Sequence, residues 1–228
     1  MMGLPVLEQY ETARIDPADS SGEIVLTAVT AGNLLVLQYL SDHTTNRTIT
    51  EITDSQENTW TIHEQTVQDN RRVAVASAVA ASTGNVTVTI SLSGVARFSL
   101  VASEVSGQAE THYDDSSYYN DPSTSTTHYC AAVGEIDTSA NVIIFAAATD
   151  YKLGTVTLPT DYTSLYVYND QMWAGYLRSE SALTDHRGEW SSSIARQAGA
   201  VIVSFVGEEE EGGIFTVIAM HYNRLMRA

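Results

Sequence analysis

The chain has 228 residues, a formal net charge of -17, 43% hydrophobic residues and one cysteine. Such an acidic surface argues against nucleic-acid binding and against docking on an anionic membrane, both of which need basic patches. A lone cysteine excludes an internal disulfide, and a chain of this length can bury a sufficient core without one.

Residues 1–21 read as an extended arm. Gly3 and Pro5 disfavour a helix, and Asp16-Pro17 and Asp19-Ser20-Ser21-Gly22 are turn chemistry. The opening residues have neither a basic region nor an apolar run, so no signal peptide is expected. No segment reaches the roughly 20 apolar residues of a membrane-spanning helix. Glu23–Val29 is a first strand. Leu34–Leu40 is almost wholly apolar, which suits a strand buried on both faces. Short strands follow at Thr48–Thr53 and Thr59–Gln65, separated by the turn Asp54–Asn58. In Arg71–Ala80 the valines recur at period two and favour a strand over an Ala-rich helix.

Asn85–Gly107 is the most regular stretch. Val86, Val88 and Ile90 alternate with Thr87, Thr89 and Ser91, and a second strand follows Ser93-Gly94. The pair reads as a hairpin or a sheet corner. Gln108–Thr127 is polar and tyrosine-bearing and is expected as a long loop across the sandwich. Further strands are expected at Thr127–Val133, Val142–Ala148, Thr155–Leu158, Ser164–Asn169, Met172–Leu177 and Ala200–Val206, with a short one near Ser191–Arg196. An acidic run, Glu208–Glu211, and the break Gly212-Gly213 lead into an apolar, basic-ended tail. Many short strands with turn signals between them predict an all-β fold, an antiparallel two-layer β-sandwich of jelly-roll type. The expected divisions are an arm over 1–21, the sandwich over 22–207 and a tail over 208–228.

Ala31-Gly32-Asn33-Leu34-Leu35-Val36, Asp54–Trp60, Val86–Thr89 and Glu104-Val105-Ser106-Gly107 form an ordered series of turn and core residues. Over roughly Gly22–Gly207 the chain resembles jelly-roll-like β-sandwich domains of bacterial extracellular proteins and of structural proteins of tailed bacteriophages. Glu57 stands where that pattern prefers Gly, and Val105 where it prefers Tyr. The motifs belong to a fold and carry no catalytic residue. The resemblance implies a non-enzymatic virion protein, in the first instance a capsid decoration (cement) protein on the capsid exterior. Its partners would be the major capsid protein or other virion subunits and further copies of itself. The alternatives are a lectin-like module and a phage tail or fibre component.

No catalytic, cofactor or metal residue is assigned. Cys130 reads as a small core residue. Asp16, Asp19 and Glu23, or Asp54 and Glu57, offer oxygen ligands for calcium, but turn chemistry accounts for the aspartates without a metal. The histidines have no zinc spacing. Partner-binding candidates are Ile214, Phe215, Val217 and Ile218 as apolar contacts and Arg224 and Arg227 as cations for an acidic neighbour. Tyr113, Tyr118 and Tyr119 join them, because tyrosine gives large contact area at low entropic cost. Trp173 with Tyr166, Tyr168 and Tyr176 is a possible sugar-stacking platform.

Overall fold

A computed structural model describes residues 3–41, 47–66, 72–130, 136–150, 156–157, 159–169 and 172–208. The expected tail, beyond Glu208, and His43 lie outside the described residues.

The strands are β1 (Val6–Val29), β2 (Leu34–Ser41), β3 (Ile49–Asp54), β4 (Thr61–Gln65), β5 (Arg72–Val79), β6 (Gly84–Ser106), β7 (Gln108–His128), β8 (Val142–Asp150), β9 (Val156–Thr157), β10 (Thr163–Tyr168), β11 (Met172–Ser179) and β12 (Trp190–Gly207). Among the described residues they form two six-stranded sheets, and every pairing is antiparallel. One runs β1-β6-β2-β5-β4 with β3 also on β6. The other runs β10-β11-β8-β12-β7 with β9 also on β12. The expected all-β sandwich is present.

The stretch that resembled a hairpin is one strand of 23 residues. It runs along β1 almost from end to end, from Val29↔Gly84 to Val6↔Ser106. Both strands bend together, where the register shifts between Ile15↔Phe98, Asp19↔Ala96 and Ser21↔Ser91. The turn signals Asp16–Gly22 and Ser93-Gly94 therefore face each other across one corner of the sheet and reverse neither strand. Gly22 is at that corner because a Cβ there would lie 2.6 Å from the ring of Phe98. The expected arm is thus laid into the sheet from Val6 onward.

Bending lets one strand serve two surfaces. The first half of β6 pairs with β3 and the second half with β2. The curl encloses a first core in which Leu35, Leu37 and Tyr39 of β2 meet Val86, Val88, Ile90 and Phe98 of β6. The opposite face of β2, with Leu34, Val36 and Leu40, meets Ile143, Phe145, Val201, Val203 and Phe205 between the sheets. All of β2 is buried, as its apolar run predicts. A third core lies on the outer face of the second sheet, where Ile144, Ala146 and Ile202 meet Trp173, Tyr162, Trp190, Cys130 and Ile136.

The motif residues tie these layers. Glu104, 3% exposed, accepts from the Thr30 amide at 2.8 Å and Asn33 Nδ2 at 2.7 Å, and from Gln9 Nε2. Asp54 accepts from the amides of Gln56 and Asn58 and, at 2.7 Å, from Trp60 Nε1. Glu57 holds φ at +57° in this turn, a left-handed conformation that costs a non-glycine residue about 1 kcal/mol. At one pole the Gly3 amide donates to the Glu208 carbonyl at 2.7 Å, and the Glu208 amide to the Gly107 carbonyl at 2.8 Å. A Cβ on Gly207 would sit 1.9 Å from the Gly3 carbonyl oxygen, so glycine alone allows this approach.

Glu104→Ala removes a buried carboxylate that accepts three part-buried hydrogen bonds and is expected to cost about 3 kcal/mol in urea melts. A cost below about 0.5 kcal/mol, the range of neutral surface changes, would show that the tie is not structural.

Candidate functional site

Three regions bring chemically active groups together, and the first is the tyrosine stretch. It is a 21-residue strand, β7, and not the expected loop. An edge strand with one bonded side needs little apolar content, so its polar composition imitates a loop. Among the described residues β7 pairs only with β12.

Tyr113 and Tyr118 are an odd number of residues apart, which in a regular strand puts side chains on opposite faces. The register prevents that. Tyr113 pairs with Phe205 and Asp115 with Ser204, so Asp114 is an extra residue that resets the alternation. Tyr113, Ser116 and Tyr118 therefore pair with Phe205, Val203 and Val201, which all face the inter-sheet core. Tyr113 and Tyr118 are 43% and 45% exposed at the margin of that core. Tyr119 pairs with Ala200 on the other face and meets Tyr129 edge-on at 6.4 Å. The expected set thus divides between two faces. Ile214, Phe215, Val217, Ile218, Arg224 and Arg227 lie outside the described residues.

At the same edge the two sheets are stapled. His63 of β4 stacks on Tyr113 at 4.7 Å, and Ser116 Oγ donates to Glu64 Oε1 at 3.0 Å. His63 Nε2 is 2.8 Å from Ser77 Oγ, and the rings of His63 and His112 both contact Phe205. A cleft of about 390 Å³ opens here beside Glu57, Asn58, Thr59 and Val79. Burial, and next the neighbouring His112, lowers the His63 pKa to about 4. Burial lowers His112 as well, against a smaller raising effect from the Glu110 backbone. Both rings are neutral at pH 7.

The second region is a cleft of about 600 Å³ at the start of β12, lined by Tyr129, Thr157, Thr160, Asp161, His186, Arg187, Gly188, Glu189, Trp190 and Ser191. Its frame is hydrogen-bonded. The Cys130 amide donates to the Arg187 carbonyl at 2.7 Å, and Tyr162 Oη lies 2.9 Å from His186 Nε2. The Arg187 guanidinium sits 3.6 Å over the Tyr129 ring. Cys130, fully buried behind the cleft, is the core residue its sequence context suggests. Burial and then the Asp161 charge push its thiol pKa well up, so it stays protonated at neutral pH and is a poor nucleophile. Tyr162 is raised by the same burial, followed by Cys130 and Asp161, whereas burial lowers His186 against an opposing pull from Asp161.

The third region is the pole where residues 3, 107, 207 and 208 meet.

The stacking platform is not assembled. Trp173 is 3% exposed in the outer core, and Tyr166, Tyr168 and Tyr176 pack against the inter-sheet core on the opposite face. Arg14 lies over the Tyr168 ring at 4.3 Å, and Tyr166 Oη is 2.7 Å from Ser99 Oγ, so these tyrosines serve as packing and cross-sheet contacts. At the acidic turns, Asp19 Oδ1 accepts from the amides of Ser20 and Ser21, and Asp54 is occupied as described. Sequence reasoning passed over the second cleft because its walls come from three separated stretches, Tyr129, Thr157–Asp161 and His186–Ser191, none of which carries a motif.

No protein-family model matches the chain, and no curated protein matches it significantly in sequence.

The His63 value fixes a pH dependence. Its folded-state value lies below the ordinary 6.5, so the unfolded chain takes up the proton first as pH falls. This stabilising contribution is complete above pH 6.5 and is lost as pH drops toward 4. The melting temperature of His63→Gln should fall less between pH 7 and pH 4 than that of the parent chain. Parallel curves would show that the ring does not titrate as described.

Proposed function

We propose that this chain is a non-enzymatic structural subunit of a bacteriophage particle, a capsid decoration protein that binds the outer shell as an oligomer. The observation that carries the reading is the pole at which Gly3, Gly107 and Glu208 are hydrogen-bonded together. Gly3 and Glu208, at the two limits of the described residues, are thus neighbours at one pole, which suits a molecule fastened to a support at that end while the rest projects. The tail that begins there is apolar at Ile214, Phe215, Val217 and Ile218 and basic at Arg224 and Arg227. On a chain of charge -17 those arginines are suited to an acidic neighbour, and the apolar residues to contact area excluded from water. The acidity keeps free copies apart until a support holds them in register. The resemblance to phage structural domains agrees with this reading. The edge of β7 left unpaired among the described residues, with Tyr113 and Tyr118 on one face, is a second surface for subunit contact.

The test is co-sedimentation with undecorated capsid shells assembled from the structural genes that neighbour this one. The intact chain should pellet with the shells. A chain ending at Glu208 should keep its melting temperature within a few degrees and lose at least about tenfold in binding, the worth of a few buried apolar contacts. An intact chain that never binds a shell contradicts the proposal. A truncated chain that unfolds contradicts the role given to the tail.

A further inference from the structure

The cleft at the start of β12 has the construction of a ligand site, and the assembly role makes no use of it. Its volume of about 600 Å³ lies within the roughly 300–1,000 Å³ usual for small-molecule sites. Its walls are held before any ligand arrives, by the Cys130–Arg187 backbone bond, the Tyr162–His186 contact and the seating of Arg187 on Tyr129. Preformed walls reduce the ordering cost of binding. One wall residue also has an unmet bonding capacity. Trp190 is 4% exposed, and its indole Nε1 is buried with no hydrogen-bond partner among the described residues. That atom is closed to solvent, so the cost of leaving it unmet, about 1–3 kcal/mol, falls within the wall, and the Trp190 ring serves as a reporter of what enters the cleft.

The donor and acceptor set identifies the ligand class. Asp161 and Glu189 only accept when ionised. Arg187 only donates. Thr157, Thr160 and Ser191 do both. A cationic ligand would use the two carboxylates and be opposed by Arg187. An anionic ligand would use Arg187 and be opposed by both carboxylates and by a chain of charge -17. A neutral polyol uses all of them, since each hydroxyl donates once and accepts from a second group. We infer that this cleft binds a neutral saccharide, held by hydrogen bonds to the carboxylates of Asp161 and Glu189 and with Arg187 and the hydroxyls of Thr157, Thr160 and Ser191. The guanidinium already covers one face of Tyr129, so recognition here rests on polar contacts more than on ring stacking. This site is independent of the assembly proposal: a chain that never binds a shell would still hold the sugar.

The experiment screens the full chain on an array of mono-, di- and oligosaccharides. The sugar giving the strongest signal is then titrated while tryptophan fluorescence is followed. Binding should perturb the emission of Trp190. Asp161→Asn and Glu189→Gln should each weaken binding at least about tenfold, as expected for loss of a charge-assisted hydrogen bond. Both side chains are exposed, so thermal melts of the variants should match the parent chain. Tyr118→Ala, on the β7 edge, should bind as the parent does. The inference is overturned if no saccharide binds at millimolar concentration, or if both cleft variants bind as tightly as the parent. It is also overturned if Tyr118→Ala alone abolishes binding, or if the cleft takes spermidine in place of sugars.

Discussion

Along its 23 residues β6 must satisfy the backbone groups of both its edges, and it does so with three neighbours. One edge is covered by β1 on both sides of the corner at Leu92–Val95. The other is shared by β3 and β2, which meet it on either side of the bend. A buried strand with an unpaired edge is costly, since each orphaned amide or carbonyl forfeits a hydrogen bond without recovering water. The bend resolves this and also separates two apolar surfaces. The curl of β1, β6 and β3 closes the first core against β2, and the far side of β2 is left free to meet the second sheet. The second sheet is held by this arrangement, because Gln38 of β2 donates across the gap to the Ala146 carbonyl at 2.8 Å.

Much of this was legible in the sequence where side-chain period and burial coincide. Leu34–Leu40 announced a doubly buried strand because both its faces meet apolar cores. Val86, Val88 and Ile90 announced the inner face of β6 by alternation. The motif that suggested a family resemblance has a physical basis in the molecule: Asn33 and Glu104 bond to each other, and Asp54 bonds to Trp60. These pairs close corners of a sandwich, which is why the motif speaks of fold and is silent on chemistry.

Where the reading departed from the structure, local turn chemistry had competed with long-range pairing. Asp16-Pro17, Asp19–Gly22 and Ser93-Gly94 are turn-forming in isolation, and only their juxtaposition across two strands turns them into one corner. Gln108–Thr127 lacked apolar alternation because, among the described residues, β7 bonds on one side only and an extra residue at Asp114 shifts its phase. Trp173 looked like a companion of Tyr166 and Tyr168 by proximity in sequence, yet strand alternation sends it to the opposite face. The Trp190 cleft joins segments dozens of residues apart, and no spacing rule reaches that far.

The proposed assembly role and the inferred sugar site would share one scaffold: a pole that brings Gly3, Gly107 and Glu208 together, and a cleft with its own preformed walls. Both depend on a rigid sandwich, and its rigidity depends on β6 behaving as one strand. Amide hydrogen exchange tests that most directly. The amides of Val86–Leu92 and of Phe98–Val105 should exchange at the same slow rate, set by global unfolding. If Val86–Leu92 opens and exchanges well before Phe98–Val105, the two halves are separate strands and the bent ribbon does not organise the fold.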